Sequence, residues 1–320
     1  MMRLLITGGH GYLGSVLAQK AVNRGHRVVV VDRVPAVPDP EAATPGVLTV
    51  VSDLRNAEDW RTVLRHVDVV VHLAAVVGDP ACDADPETAW ETNYLGTVRL
   101  AEECRRYGVR RLIFASTCSN YGASMGPVAD TWSPLNPVSG YARSKILAEH
   151  HLLSVRGAHL RPTILRFATL HGLSSRMRFD LVVNRMTAAA VHEGAIEVHG
   201  GEQWRPFLHV HDAADAILST LALSPADTVL NCGSSDQNYR ILDVARLVQA
   251  EIPEATLIRT AGNDRRDYRV DFDPIYRQLG FRPKRDVPGS IREMAAALHE
   301  KRYPHYKSAL FNNHEAVRTG

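Results

Sequence analysis

Lysine is scarce in this chain of 320 residues: Lys20, Lys145, Lys284, Lys301 and Lys307 stand against 32 arginines, out of 37 basic residues in all. With 35 acidic residues the formal net charge is only +2, and no block of like charge interrupts the pattern. A nucleic-acid-binding tail or a basic membrane-surface helix is therefore not expected. Cysteine is equally sparse. Cys82, Cys104, Cys118 and Cys232 lie far apart with no C-x-x-C pair, which leaves no zinc or dithiol motif and fits a reducing compartment. Long hydrophobic runs are missing too. The opening RLLIT is too short for a signal-peptide core and no later run approaches a membrane span, so the expectation is a cytoplasmic protein with no membrane partner. Internal repeats and low-complexity tracts are also lacking, and the length suits one large domain or a large domain with a smaller companion.

What is present is alternation. Runs rich in β-branched residues recur at 3–7, 27–32, 47–51, 68–75, 111–117 and 163–168. Helical periodicity occupies 12–24, 57–66, 87–107 and 141–155 between them. Strands this apolar on both faces, alternating with helices, predict a doubly wound α/β fold of the Rossmann kind with a parallel sheet. After about residue 169 the alternation weakens: short strands at 196–200 and 228–233 mix with helices near 179–193, 212–222 and 241–251. The expected division is a dinucleotide-binding domain over 1–169 and a smaller α/β substrate domain over 170–320, with a segment near 205–233 returning to the first. The proline-rich VPAVPDPEAATP, 34–45, reads as a surface loop.

TGGHGYLG, residues 7–14, spaces Gly8, Gly11 and Gly14 as G-x-x-G-x-x-G between a predicted strand and a predicted helix. In that setting glycines serve a tight turn, close approach of backbone N–H groups to a pyrophosphate, and close packing of helix on sheet. Asp32 ends the next strand, where a carboxylate bonds an adenosine ribose and repels a 2′-phosphate. The reading is NAD. Arg33 beside it keeps NADP open, because an arginine there accepts a 2′-phosphate.

Tyr141 and Lys145 stand four residues apart in YARSK, hence on one helix face. An ammonium group beside a phenol favours the phenolate, which can take a proton from a hydroxyl as hydride leaves the carbon. The alternative is a plain surface pair, but a lysine is uncommon in this chain. Ser116 and Thr117, ending the fifth strand run, place hydroxyls at the carboxyl edge of the sheet where sites of such folds lie.

TGGHGYLG, HLAA (72–75), Asn93, STCSNYG (116–122) and YARSK, taken in order, resemble the extended short-chain dehydrogenase/reductases, and more narrowly the NAD-dependent epimerase/dehydratase group acting on nucleotide sugars. GGEQWRPFLHVHDAADAI (200–217) is similar to that family's G-x-x-x-R-D-F-x-H-V-x-D-x-A-x-A stretch, so the likeness spans nearly the whole chain. The resemblance implies Gly8, Gly11 and Gly14 on the pyrophosphate with Tyr12 and Leu13 beside them, Asp32 on the ribose, Asp53 and Leu54 near the adenine, and Ala74, Ala75 and Asn93 along the cofactor groove. It implies Thr117, Tyr141 and Lys145 as the catalytic set, Lys145 also holding the nicotinamide ribose. Arg205 and Arg266 match arginines that grip a substrate diphosphate, a task suited to the guanidinium fork. Relatives commonly form homodimers through the helices corresponding to 87–107 and 141–155.

The departures narrow the function. Sugar 4,6-dehydratases of this family carry Asp-Glu directly after the Thr, where this chain has Cys118 and Ser119. Thr169 replaces the asparagine of LRxxN, and RDF becomes Arg205-Pro206-Phe207. Cys118 reads either as a packed small residue or as a thiol close to the sugar. The expected activity is that of an NAD-dependent nucleotide-sugar 4-epimerase. The alternatives are a 4-ketoreductase of deoxysugar assembly and, from another class, a dinucleotide sensor without turnover, which would need the glycine loop but not Tyr141 and Lys145.

Overall fold

Residue parity along the first strand sets the architecture. Side chains alternate across a strand, and Leu4 and Ile6 enter one buried cluster while Leu5 enters another. Both faces of the sheet must therefore be covered by helices. The computed structural model describes residues 1–35, 46–124, 128–222 and 228–313, so the loop expected at 34–45 lies, from residue 36 on, outside the described residues.

The chain runs β1 (Arg3–Thr7), α1 (Tyr12–Asn23), β2 (Arg27–Asp32), β3 (Val47–Val51), α2 (Ala57–Trp60), β4 (Val69–His72), α3 (Asp79–Ala84), α4 (Pro86–Trp90), α5 (Gly96–Arg106), β5 (Arg111–Thr117), α6 (Gly140–Ser154) and β6 (Arg161–Phe167). It continues through β7 (Thr169–His171), α7 (Val182–Glu193), β8 (Ala195–His199), β9 (Trp204–His209), α8 (Val210–Thr220), β10 (Thr228–Cys232), β11 (Asn238–Arg240), α9 (Ile241–Glu251), β12 (Thr256–Thr260), α10 (Asp273–Leu279) and α11 (Val287–His299). Seven strands form one sheet in the order β10-β6-β5-β4-β1-β2-β3, and each adjacent pair is parallel. This is the doubly wound sheet the sequence predicts. Its reversal point lies between β1 and β4, where such sheets open a crevice at their carboxyl ends.

One face of the sheet packs residues of α1 and α8, including Leu17, Ala213 and Ile217; the other packs Leu100 and Cys104 of α5 with Ala148 and Leu152 of α6. Leu5, fully buried in the second cluster, anchors that face, and Leu5→Ala is expected to cost about 2–5 kcal/mol. A third cluster gathers Val183, Met186, Ile196, Phe207, Val244 and Ile291 beneath the small sheets β11-β9-β7 and β12-β8.

Two predicted helices come out differently. Residues 57–66 give a four-residue α-helix followed by a 3-10 stretch, Arg61–His66. The expected continuous helix over 87–107 contains a π turn, Glu91–Leu95, between α4 and α5. Inside it Asn93 exchanges bonds with the Val76 backbone, accepting from its N–H at 2.8 Å and donating to its C=O at 3.0 Å. The widened turn brings this asparagine against the segment that follows β4. No helix among the described residues is long and apolar enough to cross a membrane.

Candidate active site

Three of the four glycines in the first loop are required by the protein's own packing, two of them against backbone and one against a side chain. A Cβ at Gly8, where φ is 71°, would stand 2.7 Å from Ala74 N, one at Gly9 2.4 Å from a Val30 methyl, and one at Gly14 2.2 Å from Gly8 O. Gly11 is different. Its Cβ would meet nothing closer than Gly8 O at 3.2 Å, it caps α1 with no side-chain hydrogen bond to the first turn, and it borders an open cavity of about 420 Å³. Free N–H groups at the start of a twelve-residue helix, beside a cavity, are a site for phosphate.

The same cavity is bordered by Tyr12, Leu13, Asp32, Arg33, Asp53, Leu54, Ala74 and Ala75. Asp32 accepts from the His10 N–H at 2.9 Å and the Val34 N–H at 3.1 Å, so its carboxylate both shapes the loop and faces the cavity. Asp53 is engaged by Arg55, whose Nη2 lies 2.8 Å away; these hydrogen bonds hold its carboxyl below the usual range despite burial. Tyr12 sends its hydroxyl to Gly172 O at 2.5 Å and receives Asn184 Nδ2 at 3.2 Å. Its side chain thereby ties the glycine loop to the chain beyond β7. The glycine cradle, the uncapped helix start and the terminal Asp32 are together suited to NAD.

At the cavity's inner end, Thr117 closes β5, and Tyr141 and Lys145 sit one turn apart on α6. Ser139 fixes the start of that helix by accepting from the Ala142 N–H at 3.2 Å. Lys145 is 2% exposed, donates to Ala115 O at 3.0 Å and lies 4.7 Å from the Phe114 ring centre. Burial lowers its pKa to about 8. Tyr141 does not show the lowering its neighbour was expected to cause. Burial raises the phenol, Cys82 and Asp79 add to the rise, and Arg178 opposes it, so Tyr141 is held as a protonated donor.

Behind this trio lies a buried ionic network. Glu149, one turn beyond Lys145 and fully buried, accepts from Arg166 Nη2 at 2.7 Å, from Asn120 Nδ2 at 2.8 Å and from Ser116 Oγ. Arg166 also donates to Tyr121 Oη at 3.1 Å. One carboxylate thus joins α6, the end of β5 and β6, the elements that carry Tyr141, Thr117 and the approach to Thr169.

A second cavity, of about 990 Å³, adjoins the first; Asp79, Ser119, Thr169, Arg178, Arg266 and Tyr268 border both. Arg143, Arg185 and Arg205 border the second alone. Arg205 and Arg266 converge on Asp264, with Nη2 atoms 2.9 and 2.8 Å from its Oδ2. The burial of Arg266 works against its charge, but Asp264 and Asp79 more than offset it and raise its pKa. Arg178 forms a paired contact with Asp180, Nε to Oδ1 at 3.0 Å and Nη2 to Oδ2 at 2.6 Å.

Two candidates lie behind the walls. Asn93 borders neither cavity and braces the Val76 backbone. Cys118 also borders neither: its thiol donates to Arg166 O at 3.2 Å, and burial pushes its pKa up, so it is packed and un-ionised. Sequence reasoning missed Asp79, Arg176, Arg178 and Tyr268. RMRFD at 176–180 is a dense pair of arginines that could have drawn notice, but Asp79 is marked by nothing in its neighbours.

Comparison with known proteins extends the likeness over most of the chain. A sequence model described as the NAD dependent epimerase/dehydratase family matches residues 4–233. UDP-glucose 4-epimerase of Streptomyces lividans is 29% identical, over 88% of this chain and 92% of the relative. Among solved structures, the NAD-dependent NDP-hexosamine 5,6-dehydratase TunA, involved in tunicamycin biosynthesis, is 30% identical with a TM-score of 0.84, covering 94% of this chain and 98% of that one. MoeE5 in complex with UDP-glucuronic acid and NAD is 28% identical with a TM-score of 0.84, covering 93% and 99%.

Proposed function

The chain belongs to the NAD-dependent epimerase/dehydratase family of enzymes, and from that premise we propose that it is a nucleotide-sugar 4-epimerase, oxidising one sugar hydroxyl to a transient ketone and reducing it again from the other face. The observation that carries this reading is the make-up of the cavity around Tyr141. A phenol and an ammonium group stand beside Thr117, the residue two positions after Thr117 is Ser119, and Cys118 points into the protein. Epimerisation needs one group that takes and returns one proton. Elimination of water by the route of the 4,6-dehydratases needs carboxyl groups where Cys118 and Ser119 stand.

NAD, when bound, supplies the hydride acceptor and returns the hydride. Tyr141 must first give up its own proton, since burial raises the phenol's pKa; as phenolate it takes the hydroxyl proton as hydride departs and gives it back when the ketone is reduced. Lys145 stabilises the phenolate electrostatically, for which it must carry its proton. Thr117 bonds the reacting oxygen. Arg205 and Arg266 grip the substrate diphosphate with their forked donors, which leaves the sugar between them and Tyr141. This reading includes a cytoplasmic homodimer through α4, α5 and α6, supported by the exposed Trp90 and Leu147 on those helices.

The test is incubation of purified protein, with the nicotinamide it retains, with UDP-glucose, dTDP-glucose and their N-acetylated and uronic counterparts. Interconversion at C4 without added reductant is expected. A requirement for stoichiometric reduced cofactor and a 4-keto substrate would replace the reading by the ketoreductase. Loss of water from the sugar would replace it by a dehydratase.

A further inference from the structure

Arg266 faces two carboxylates that hold it very differently. Asp264 Oδ1 accepts from its backbone N–H at 3.1 Å and its Nε at 2.9 Å, and Oδ2 accepts from its Nη2 at 2.8 Å. Asp79 Oδ2 takes Nη1 at 2.8 Å, while Asp79 Oδ1 is buried and makes no hydrogen bond. A buried carboxylate oxygen without a donor is costly, so Asp79 is the weaker partner. The two come from different parts of the chain: Asp79 opens α3 just after the sheet strand β4, and Asp264 follows β12. Gly78, at φ 97°, makes the turn that brings Asp79 over the seam, a conformation that side chains disfavour. Along that seam Asp79, Arg266, Asp264 and Arg205 alternate in charge.

We infer that Asp79 sets the affinity and selectivity of the site, its carboxylate occupying the place at Arg266 that a substrate diphosphate takes, so that substrate binds by displacing it. The inference rests on the proposed diphosphate-bearing substrate. A diphosphate brings more charge and more oxygens than one carboxylate and spans Arg205 and Arg266 together, so it prevails over Asp79. A singly charged or neutral sugar does not, and the internal competitor keeps it out. Once displaced, Asp79 is free to find donors for both its oxygens.

Calorimetric titration of the full chain, saturated with NAD, with UDP, dTDP and GDP tests this. The nucleotide that wild type binds best should bind Asp79→Asn about fivefold tighter, within the usual range of coupling between sites. Asp83→Asn removes another carboxylate bordering the same cavity and should stay within about twofold, which separates displacement from a general loss of negative charge. NAD affinity reports that each variant is folded; should Asp79→Asn not fold, Asp79→Ser carries the same expectation. Unchanged or weaker binding by the Asp79 variant, or an equal gain in Asp83→Asn, overturns the inference and leaves the proposed substrate class standing. A wild type that binds none of the three nucleotides overturns both.

Discussion

Burial raises the pKa of the Tyr141 phenol, so it must lose its own proton before it can take one from a sugar hydroxyl and return it. Tyr141→Phe keeps the ring and removes the exchangeable proton, and turnover is expected to fall by about 10²–10⁴ while NAD and the nucleotide sugar still bind. Thr117→Val removes a bond to the reacting oxygen and should cost less. Single-turnover reduction of the nicotinamide, followed by its absorbance, compares the two; near-normal reduction in Tyr141→Phe would strip that residue of its role. Asp32 carries a second expectation. Asp32→Ser should narrow the preference for NAD over NADP, read from the two dissociation constants, because the carboxylate that repels a 2′-phosphate is gone. That Tyr141, Lys145 and Asp32 border the cavity was legible because it follows from local spacing: four residues on a helix, one residue at a strand end. Asp79 and Arg178 were not, since their place depends on how the turn at Gly78 and the chain after β7 meet across a cleft.

At the scale of elements, the first loop separates two demands that look alike in the sequence. Gly14→Ala would press a methyl against Gly8 O at 2.2 Å, and a loss of about 2–3 kcal/mol is expected from overpacking. Gly11→Ala meets Gly8 O at 3.2 Å, a tight contact but a milder one than at Gly14, so the protein should lose less stability than with Gly14→Ala and bind NAD more weakly. Urea unfolding beside NAD titration distinguishes them; equal destabilisation by both would mean that Gly11 also serves packing. The parallel sheet was readable because apolar runs alternate with helical periods. The π turn in 91–95 and the 3-10 stretch in 61–66 were not, because each answers a tertiary constraint: Asn93 reaching the Val76 backbone, and Trp60 buried fully with its Nε1 donating to Leu54 O at 3.2 Å. Helices α10 and α11 also escaped notice: α10 has only seven residues, and both carry proline in the first turn.

For the whole molecule, buried titratable groups confine stability to a band near neutrality. Burial lowers His72 and His171 to about 3 and His209 to about 2. The unfolded chain takes up protons at these residues below about pH 6.5 while the native state does not, so stability falls with pH there. Above pH 8 two effects oppose. The four buried thiols have raised pKa values, so the unfolded chain loses their protons first and stability falls. Lys145 acts in the reverse sense: lowered to about 8, it sheds its proton in the native state before the unfolded one does, adding up to about 3 kcal/mol between pH 8 and 10.5. Urea midpoints from pH 5 to 9.5 should therefore peak near pH 7–8, and Lys145→Met should decline more steeply above pH 8 than wild type; parallel declines would mean that Lys145 titrates normally. Activity should fall through pH 8 even so, as the ammonium is lost. The order of the strands has a consequence in time. Between the appearance of Phe167 and that of Cys232 the growing polypeptide has made β6 but not its partner β10, and at about 5–20 residues per second the ribosome leaves that rim bare for several seconds. A nascent chain at this stage carries the whole glycine loop yet exposes the unpaired edge of an apolar strand whose other edge β5 already occupies, which makes this interval the one in which it most needs a chaperone.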